Sequence, residues 1–283
     1  MSASHCAAGK MAASASKAVF LTGASSGIGL ETATLLTARG YEVWGTSRDP
    51  ARLPKLPRFH PVTMDLTRPD SIRENFAAAL REAGAFDVLI NNAGNGAFGP
   101  LEAMPAEIVL DQFQVLVHAP VELIRLALPS MRARGRGMII NVTSLAAQFP
   151  IPFMAPYSAA KSALSLLTEA LRMELANTPI HVVEIRPGDI DTPFHKQTRK
   201  LGTTADVQND RRTKSVWETQ SRNMAAAPPA HRVAQAVLRV INSPRPPPVL
   251  VVGGVFQAWV APLAARLSPL RLQECVLRRY YRL

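Results

Sequence analysis

Short apolar runs alternate with helix-patterned segments along the first two-thirds of the chain, and no other feature restricts the fold as strongly. AVFLTG (Ala18–Gly23), YEVWGTSR from Tyr41, FHPVTMDLT from Phe59, FDVLINNAG from Phe86, GMIINVTS from Gly137 and IHVVEIRPG from Ile180 are near-continuous hydrophobic runs. Between them lie IGLETATLLTARG, closed by Gly40, and SIRENFAAALREAG, closed by Gly84. A long helical pattern over 105–134 persists despite Pro120 and Pro129, and YSAAKSALSLLTEALRMELAN reads as another long helix. Strands without polar alternation are covered on both faces, so the pattern predicts an α/β chain with a parallel, doubly wound sheet. Ligands of such sheets bind beyond the carboxyl ends of the strands, which makes the turns after each strand the place to look for chemistry.

The alternation fails after Gly188. Residues 189–227 are polar, basic and irregular, and are expected to form a lid. A helix near Ala230–Ile241 and the strand PVLVVGG restore the pattern. The expected organisation is a disordered tail (1–17), a single domain (18–255) that includes the lid, and a basic amphipathic extension (256–283).

Charge and cysteine usage exclude several function classes. The formal charge is +11, residues 1–195 are balanced, and the whole excess lies in residues 196–283. No nucleic-acid motif accompanies it, so nucleic acid is not expected. The lid cations Lys196, Arg199, Lys200, Arg211, Arg212 and Lys214 could instead attract a phosphate or carboxylate, as on an acyl thioester of a carrier. The uncharged run between Arg245 and Arg266 is long enough for a membrane span, but prolines and glycines interrupt it. Peripheral contact of the extension with a membrane surface stays open beside packing over a pocket or a neighbouring subunit. Cys6 and Cys275 fit no zinc or redox spacing, so no metal is expected, and no signal-peptide run precedes the first strand. A cytoplasmic location is the expectation.

The first turn, TGASSGIG (Thr22–Gly29), joins the first strand to the first helix. Its glycines let the backbone approach a pyrophosphate, and the helix start offers free N–H groups. The second strand ends in Thr46-Ser47-Arg48 where an NAD-preferring site carries an acid. Arginine grips a 2′-phosphate with paired hydrogen bonds, so NADP(H) is the expected cofactor.

With NNAG (Asn91–Gly94) after the fourth strand, Ser144 after the fifth, Tyr157-x3-Lys161 beyond it and RPGDIDT (Arg186–Thr192) after the sixth, the chain resembles the short-chain dehydrogenase/reductase family over about residues 18–255. The stretches GPLE and PFMAPY resemble its 17β-hydroxysteroid and retinol dehydrogenase branch. The resemblance implies a Rossmann fold and an NADP(H)-dependent oxidoreductase that interconverts a lipophilic ketone or aldehyde with its alcohol. Steroid-, retinoid- and 3-oxoacyl-like substrates are the candidates. It implies Tyr157 as general acid and base, Lys161 as the charge that favours the phenolate and binds the nicotinamide ribose, and Ser144 as the donor that orients the substrate oxygen. Taken singly, Ser144 reads as a turn serine and Tyr157 as a core aromatic; the joint pattern carries the assignment.

The cofactor would touch Thr22, Gly23, Ser25, Ser26, Gly27, Ile28, Gly29, Arg48, Asp65, Leu66, Asn92, Ala93, Gly94, Pro187, Gly188, Ile190 and Thr192. The apolar approach to Tyr157 names Phe98, Phe149 and Phe153 as substrate contacts, beside Ile151 and Met154. A homodimer or homotetramer, joined partly through the helix bearing Tyr157, is also implied. One departure stands out: Leu116 occupies the position where the family pattern carries an asparagine that helps hold a proton-relaying water. Its presence keeps open a second reading, a catalytically weak NADP(H)-binding sensor or scaffold.

Overall fold

A computed structural model of the protein describes residues 17–201, 211–254 and 268–283. The expected tail, the middle of the lid and the start of the extension fall largely outside those residues, as does Cys6. Seven strands form one parallel sheet: β1 (Ala18–Leu21), β2 (Glu42–Ser47), β3 (Phe59–Thr63), β4 (Val88–Asn91), β5 (Gly137–Val142), β6 (Ile180–Pro187) and β7 (Val249–Val252). Their order is β3-β2-β1-β4-β5-β6-β7. From β1 the chain first builds towards β3, then returns to place β4 on the other side of β1. The order reverses there, which opens a crevice beyond the carboxyl ends of β1 and β4.

Helices α1 (Gly27–Ala38), α2 (Pro69–Ala83), α3 (Ala106–Phe113), α4 (Ala119–Ala133) and α5 (Ala155–Glu174) cover the sheet, followed by the short α6 (Phe194–Gln197), then α7 (Arg211–Ala225), α8 (His231–Asn242) and α9 (Leu270–Tyr281). Successive strand residues point to opposite faces. Val19, Leu21, Val43, Ile90 and Ile140 pack in one cluster with Leu36 of α1 and Val237 of α8. Phe20, Trp44, Leu89 and Ile139 pack in another with Phe76 of α2, Leu123 of α4 and Leu171 of α5. Both faces are covered, and this explains why the strands read as unbroken apolar runs. One polar line crosses this core: Asn91 Nδ2 donates to Asn141 Oδ1 and Asn141 Nδ2 to Thr168 Oγ1, both at 2.8 Å, tying β4 to β5 and α5.

Two expectations need correction. The helical stretch over 105–134 is interrupted by a π turn at Gln114–His118, so α3 and α4 are helical segments with one wide turn between them. Inserted turns of this kind widen the helix locally and change which side chains face inward. The stretch read as irregular contains α7, a regular helix that buries only Val216, Thr219 and Gln220. Two of those three are polar, so no hydrophobic period announces the helix. Within the lid, Arg199–Lys200 pairs in parallel with Ala97–Phe98. Trp217 of α7 stacks on His195 at 4.1 Å between ring centroids and carries the Lys200 ammonium at 3.8 Å. Lys200 is thus part of the packing that holds the lid down.

Candidate active site

A cavity of about 660 Å³ runs along the carboxyl ends of the strands, from Arg48 at one end to Tyr157 and Tyr281 at the other. The first turn forms its floor. Gly23 has φ +73°, and a methyl group added to it would meet Ala93 Cα at 2.8 Å. A methyl on Gly29 would sit 2.0 Å from the Gly23 carbonyl oxygen and 2.6 Å from Asn92 Nδ2. Only glycine fits this close approach. Ser26 stands at the N-cap of α1 without a side-chain cap bond, and no acid occupies the first turn. The N–H groups and positive end of α1 are therefore left to the cavity, where Ser25, Ser26, Gly27 and Ile28 also lie.

The expected cofactor residues converge on this cavity with one exception. Arg48, Asp65 and Leu66 line its β2–β3 end, Asn92, Ala93 and Gly94 its centre, and Pro187, Gly188, Ile190 and Thr192 the wall opposite. Thr22 does not line it. Thr22 is buried, and its Oγ1 accepts from Asn92 N and Ala93 N at 3.0 Å each, so it locks the NNAG turn from behind. Asn92 Nδ2 in turn donates to the Thr22 carbonyl at 2.9 Å. Sequence reasoning missed Thr46, whose Oγ1 accepts from Gly23 N at 3.2 Å and fixes the glycine turn to β2. Arg48 is exposed, and its neighbour Asp49 uses its carboxylate on Ala51 N. Asp65 Oδ1 accepts from the backbone and hydroxyl of Thr67 at 3.0 and 2.8 Å.

At the inner end stand Ser144, Tyr157 and Lys161. Ser144 follows β5 and accepts from Ala146 N at 3.1 Å. Its oxygen is engaged as an acceptor, and its hydroxyl also reaches the Tyr157 phenol. Tyr157 and Lys161 are one turn apart on α5, both buried. Lys161 Nζ donates to the Val142 carbonyl at 2.8 Å and lies 5.9 Å from the centroid of the Tyr157 ring. Burial pushes the Tyr157 phenol up to about 12, opposed by the Ser144 hydroxyl. Burial brings Lys161 down to about 8, opposed by the charge of Glu184. The expected lowering of the phenol by Lys161 is thus not what dominates in this pocket: loss of water around the phenolate outweighs it.

Glu184, another residue the sequence reading passed over, is buried on β6. It accepts from Thr143 Oγ1 at 2.5 Å, from Ser165 Oγ at 3.0 Å and from both Arg186 Nε and Nη2 at 3.0 Å. It anchors the β5 end that presents Ser144.

The aromatic residues expected at the substrate are placed otherwise. Phe98, Phe149 and Phe153 do not line the cavity. Phe98 meets Trp217 edge-on at 4.9 Å and Phe153 at 5.9 Å. Phe153, with φ +63°, faces a smaller pocket beside Gly99 and Pro100. The walls near Tyr157 come from Ile151 and Met154, as expected, and from Phe194, Met224 and Tyr281. Leu116, at the π turn, is fully buried in one cluster with Tyr157 and Ala160 and would stand 3.5 Å from a methyl on Gly94. His118 is exposed, and Gln114 Nε2 donates to the Leu66 carbonyl. Neither replaces a polar group at Leu116. Among the described residues, no cluster of His, Cys, Asp or Glu could hold a metal ion.

Known proteins resemble this chain in sequence and fold. The family described as short chain dehydrogenase matches residues 17–201. A 3-ketodihydrosphingosine reductase of Bacteroides thetaiotaomicron is 32% identical over 268 residues, covering 93% of this chain and 97% of that protein. A probable short-chain type dehydrogenase/reductase of Helicobacter pylori, VdlC, is 35% identical over 199 residues, 70% of each chain. Among solved structures, a short-chain dehydrogenase from Streptomyces avermitilis superposes with a TM-score of 0.79 at 27% identity, over 94% of this chain and 99% of that one. A metagenomic short-chain oxidoreductase in complex with NADP gives a TM-score of 0.67 at 27% identity, over 83% and 96%. These likenesses do not single out the hydroxysteroid and retinol dehydrogenase branch.

Proposed function

The chain belongs to the short-chain dehydrogenase/reductase family and is an NADP(H)-linked oxidoreductase of carbonyl and alcohol groups; from that premise we propose that it reduces a lipophilic ketone, with Tyr157 as the proton donor. The observation that carries this reading is the meeting of Ser144, Tyr157 and Lys161 at the end of a cavity whose near walls are Ile151, Met154, Phe194, Met224 and Tyr281.

The residues fit the cofactor. The Gly23–Gly29 cradle and the open end of α1 suit a pyrophosphate, and Arg48 suits a 2′-phosphate. When bound, NADP(H) supplies or takes up the hydride. The protein's part is to hold and move the proton. Ser144 donates to the carbonyl oxygen and fixes its position. Tyr157 gives its phenolic proton to the same oxygen as negative charge develops there, and the Lys161 charge, 5.9 Å from the ring, offsets the phenolate left behind. Burial pushes the phenol up to about 12, so it holds at neutral pH the proton that reduction needs.

The near-full-length relative named as a 3-ketodihydrosphingosine reductase supports a ketone on a long alkyl chain as the first substrate class to try. Steroid and retinoid ketones come second, supported by GPLE and PFMAPY alone. A homodimer or homotetramer completes the proposal, through exposed Leu166 and Met173 on α5 and Leu110 on α3.

The test is NADPH oxidation across long-chain 3-keto amines, 3-oxoacyl thioesters, steroids, retinal and aryl ketones, by wild type and Tyr157→Phe. Turnover of the first class in wild type, with a loss of at least about 100-fold in the variant and unchanged NADPH binding, is expected. Retained turnover in Tyr157→Phe would remove the phenol from its role. NADPH binding without turnover of any ketone would favour the sensor reading.

A further inference from the structure

Helix α9 has three faces of different chemistry, and the active site accounts for one. Gln273, Leu277 and Tyr281 turn inward at four-residue spacing. Tyr281 walls the cavity, its carbonyl accepts from Ser215 Oγ at 3.0 Å, and Asn223 Nδ2 donates to Tyr280 Oη at 2.5 Å. On another face, Leu272, Val276 and Tyr280 form an apolar stripe with exposures of 53, 56 and 44%. Exposed Arg271, Arg278 and Arg279 occupy the third, exposed Arg282 follows just past the helix, and Glu274 is the helix's single acid. Arg211 and Lys214, exposed at the start of α7, add positive charge close by, since Ser215 touches the end of α9.

An apolar stripe beside a row of arginines suits a bilayer interface, where acyl chains take the one and anionic headgroups the other. A second copy of this chain suits it less, because a two-fold contact would set like arginine rows against each other. Among the described residues no helix is long and apolar enough to cross a membrane, so the contact would be a surface one. We propose that α9 docks on an anionic bilayer surface and that the cavity behind it takes its substrate from the lipid. The loading step rests on the lipophilic-ketone reading; the docking does not. The helix that meets the lipid also presents Tyr281 to the cavity, so seating it places the substrate entrance at the membrane.

Co-flotation with vesicles tests this, using phosphatidylcholine alone and phosphatidylcholine with phosphatidylglycerol, at low and high salt. Wild type is expected to float with the anionic vesicles and to be released by salt. Each cation at the surface contributes about fivefold in partitioning, so Arg278→Glu with Arg279→Glu lowers it by at least about 20-fold. Leu272→Asp with Val276→Asp abolishes it. All variants should oxidise NADPH with a water-soluble ketone at the wild-type rate, which separates docking from chemistry. Absence of wild-type flotation, equal flotation with neutral vesicles, or a wild-type dimer made monomeric by the Leu272/Val276 pair would overturn the proposal. Flotation without turnover of any ketone would leave the docking standing and the reductase reading fallen.

Discussion

Lys161 does not hydrogen-bond Tyr157: its ammonium donates to the Val142 carbonyl at 2.8 Å and faces the tyrosine ring from 5.9 Å. Neither residue sets the proton affinity of the other: both affinities are set mainly by burial. The phenol is held up at about 12 and the ammonium down at about 8.

A pH dependence follows from that pair. Lys161 is charged below about pH 8 and loses its charge as pH rises through that value, while Tyr157 keeps its proton over the same range. The reduction rate should therefore fall on an alkaline limb near pH 8. Glu184 opposes the lowering of Lys161, so Glu184→Gln should move the limb to lower pH. An unmoved limb in that variant's pH–rate profile would assign the titration to another group.

Arg48→Ala should separate the two nicotinamide cofactors. Loss of a charge-assisted grip on a 2′-phosphate weakens NADPH binding by about 10- to 100-fold. NADH lacks that phosphate and should change less than about twofold. Fluorescence titration with both cofactors gives the comparison, and equal losses would reject the 2′-phosphate role.

Gly29→Ala tests the cradle. Its methyl group would lie 2.0 Å from the Gly23 carbonyl oxygen, which is backbone and cannot step aside as a side-chain end could. The cost is about 1–3 kcal/mol of stability, together with a loss of NADPH affinity of at least about tenfold. Denaturant unfolding with and without NADPH reads both quantities. Wild-type stability and affinity in the alanine variant would mean that the turn is looser than its geometry.

Leu166→Glu with Met173→Glu should yield monomers by light scattering. Both side chains are 69% exposed on α5, the helix that carries Tyr157. A variant with the mass of the wild-type oligomer would move the subunit contact elsewhere.

What could be read from the sequence was what the backbone decides. The unbroken apolar strands specify a sheet covered on both faces, and the glycines of TGASSGIG announce a turn that only they can form. Ser144, Tyr157 and Lys161 follow because one strand end and one helix present them. Ile151 and Met154 of the substrate wall were legible from their nearness to Tyr157; the rest was not, for two reasons. Nearness along a loop does not fix where a side chain points, and the positive φ of Phe153 turns that residue towards Gly99 while Met154 faces the cavity. Tyr281 reaches the cavity from the far end of the chain, and no local pattern encodes so distant a contact. Glu184 was missed because a lone acid within an apolar strand declares itself only when its partners Thr143, Ser165 and Arg186 are seen together.

Among the described residues the strand order leaves β3 and β7 at the two margins of the sheet, and the β3 margin is blunted by proline. Met64 N bonds back to Ser47 on β2, so the alternate residue Pro61 lies where its missing N–H would have pointed outward. The β3 margin therefore lacks a full row of donors for another strand, which guards it against edge-to-edge aggregation. Growth of any assembly is thereby steered away from strand addition at β3 and towards the helical surfaces, where exposed apolar side chains such as Leu110, Leu166 and Met173 are found.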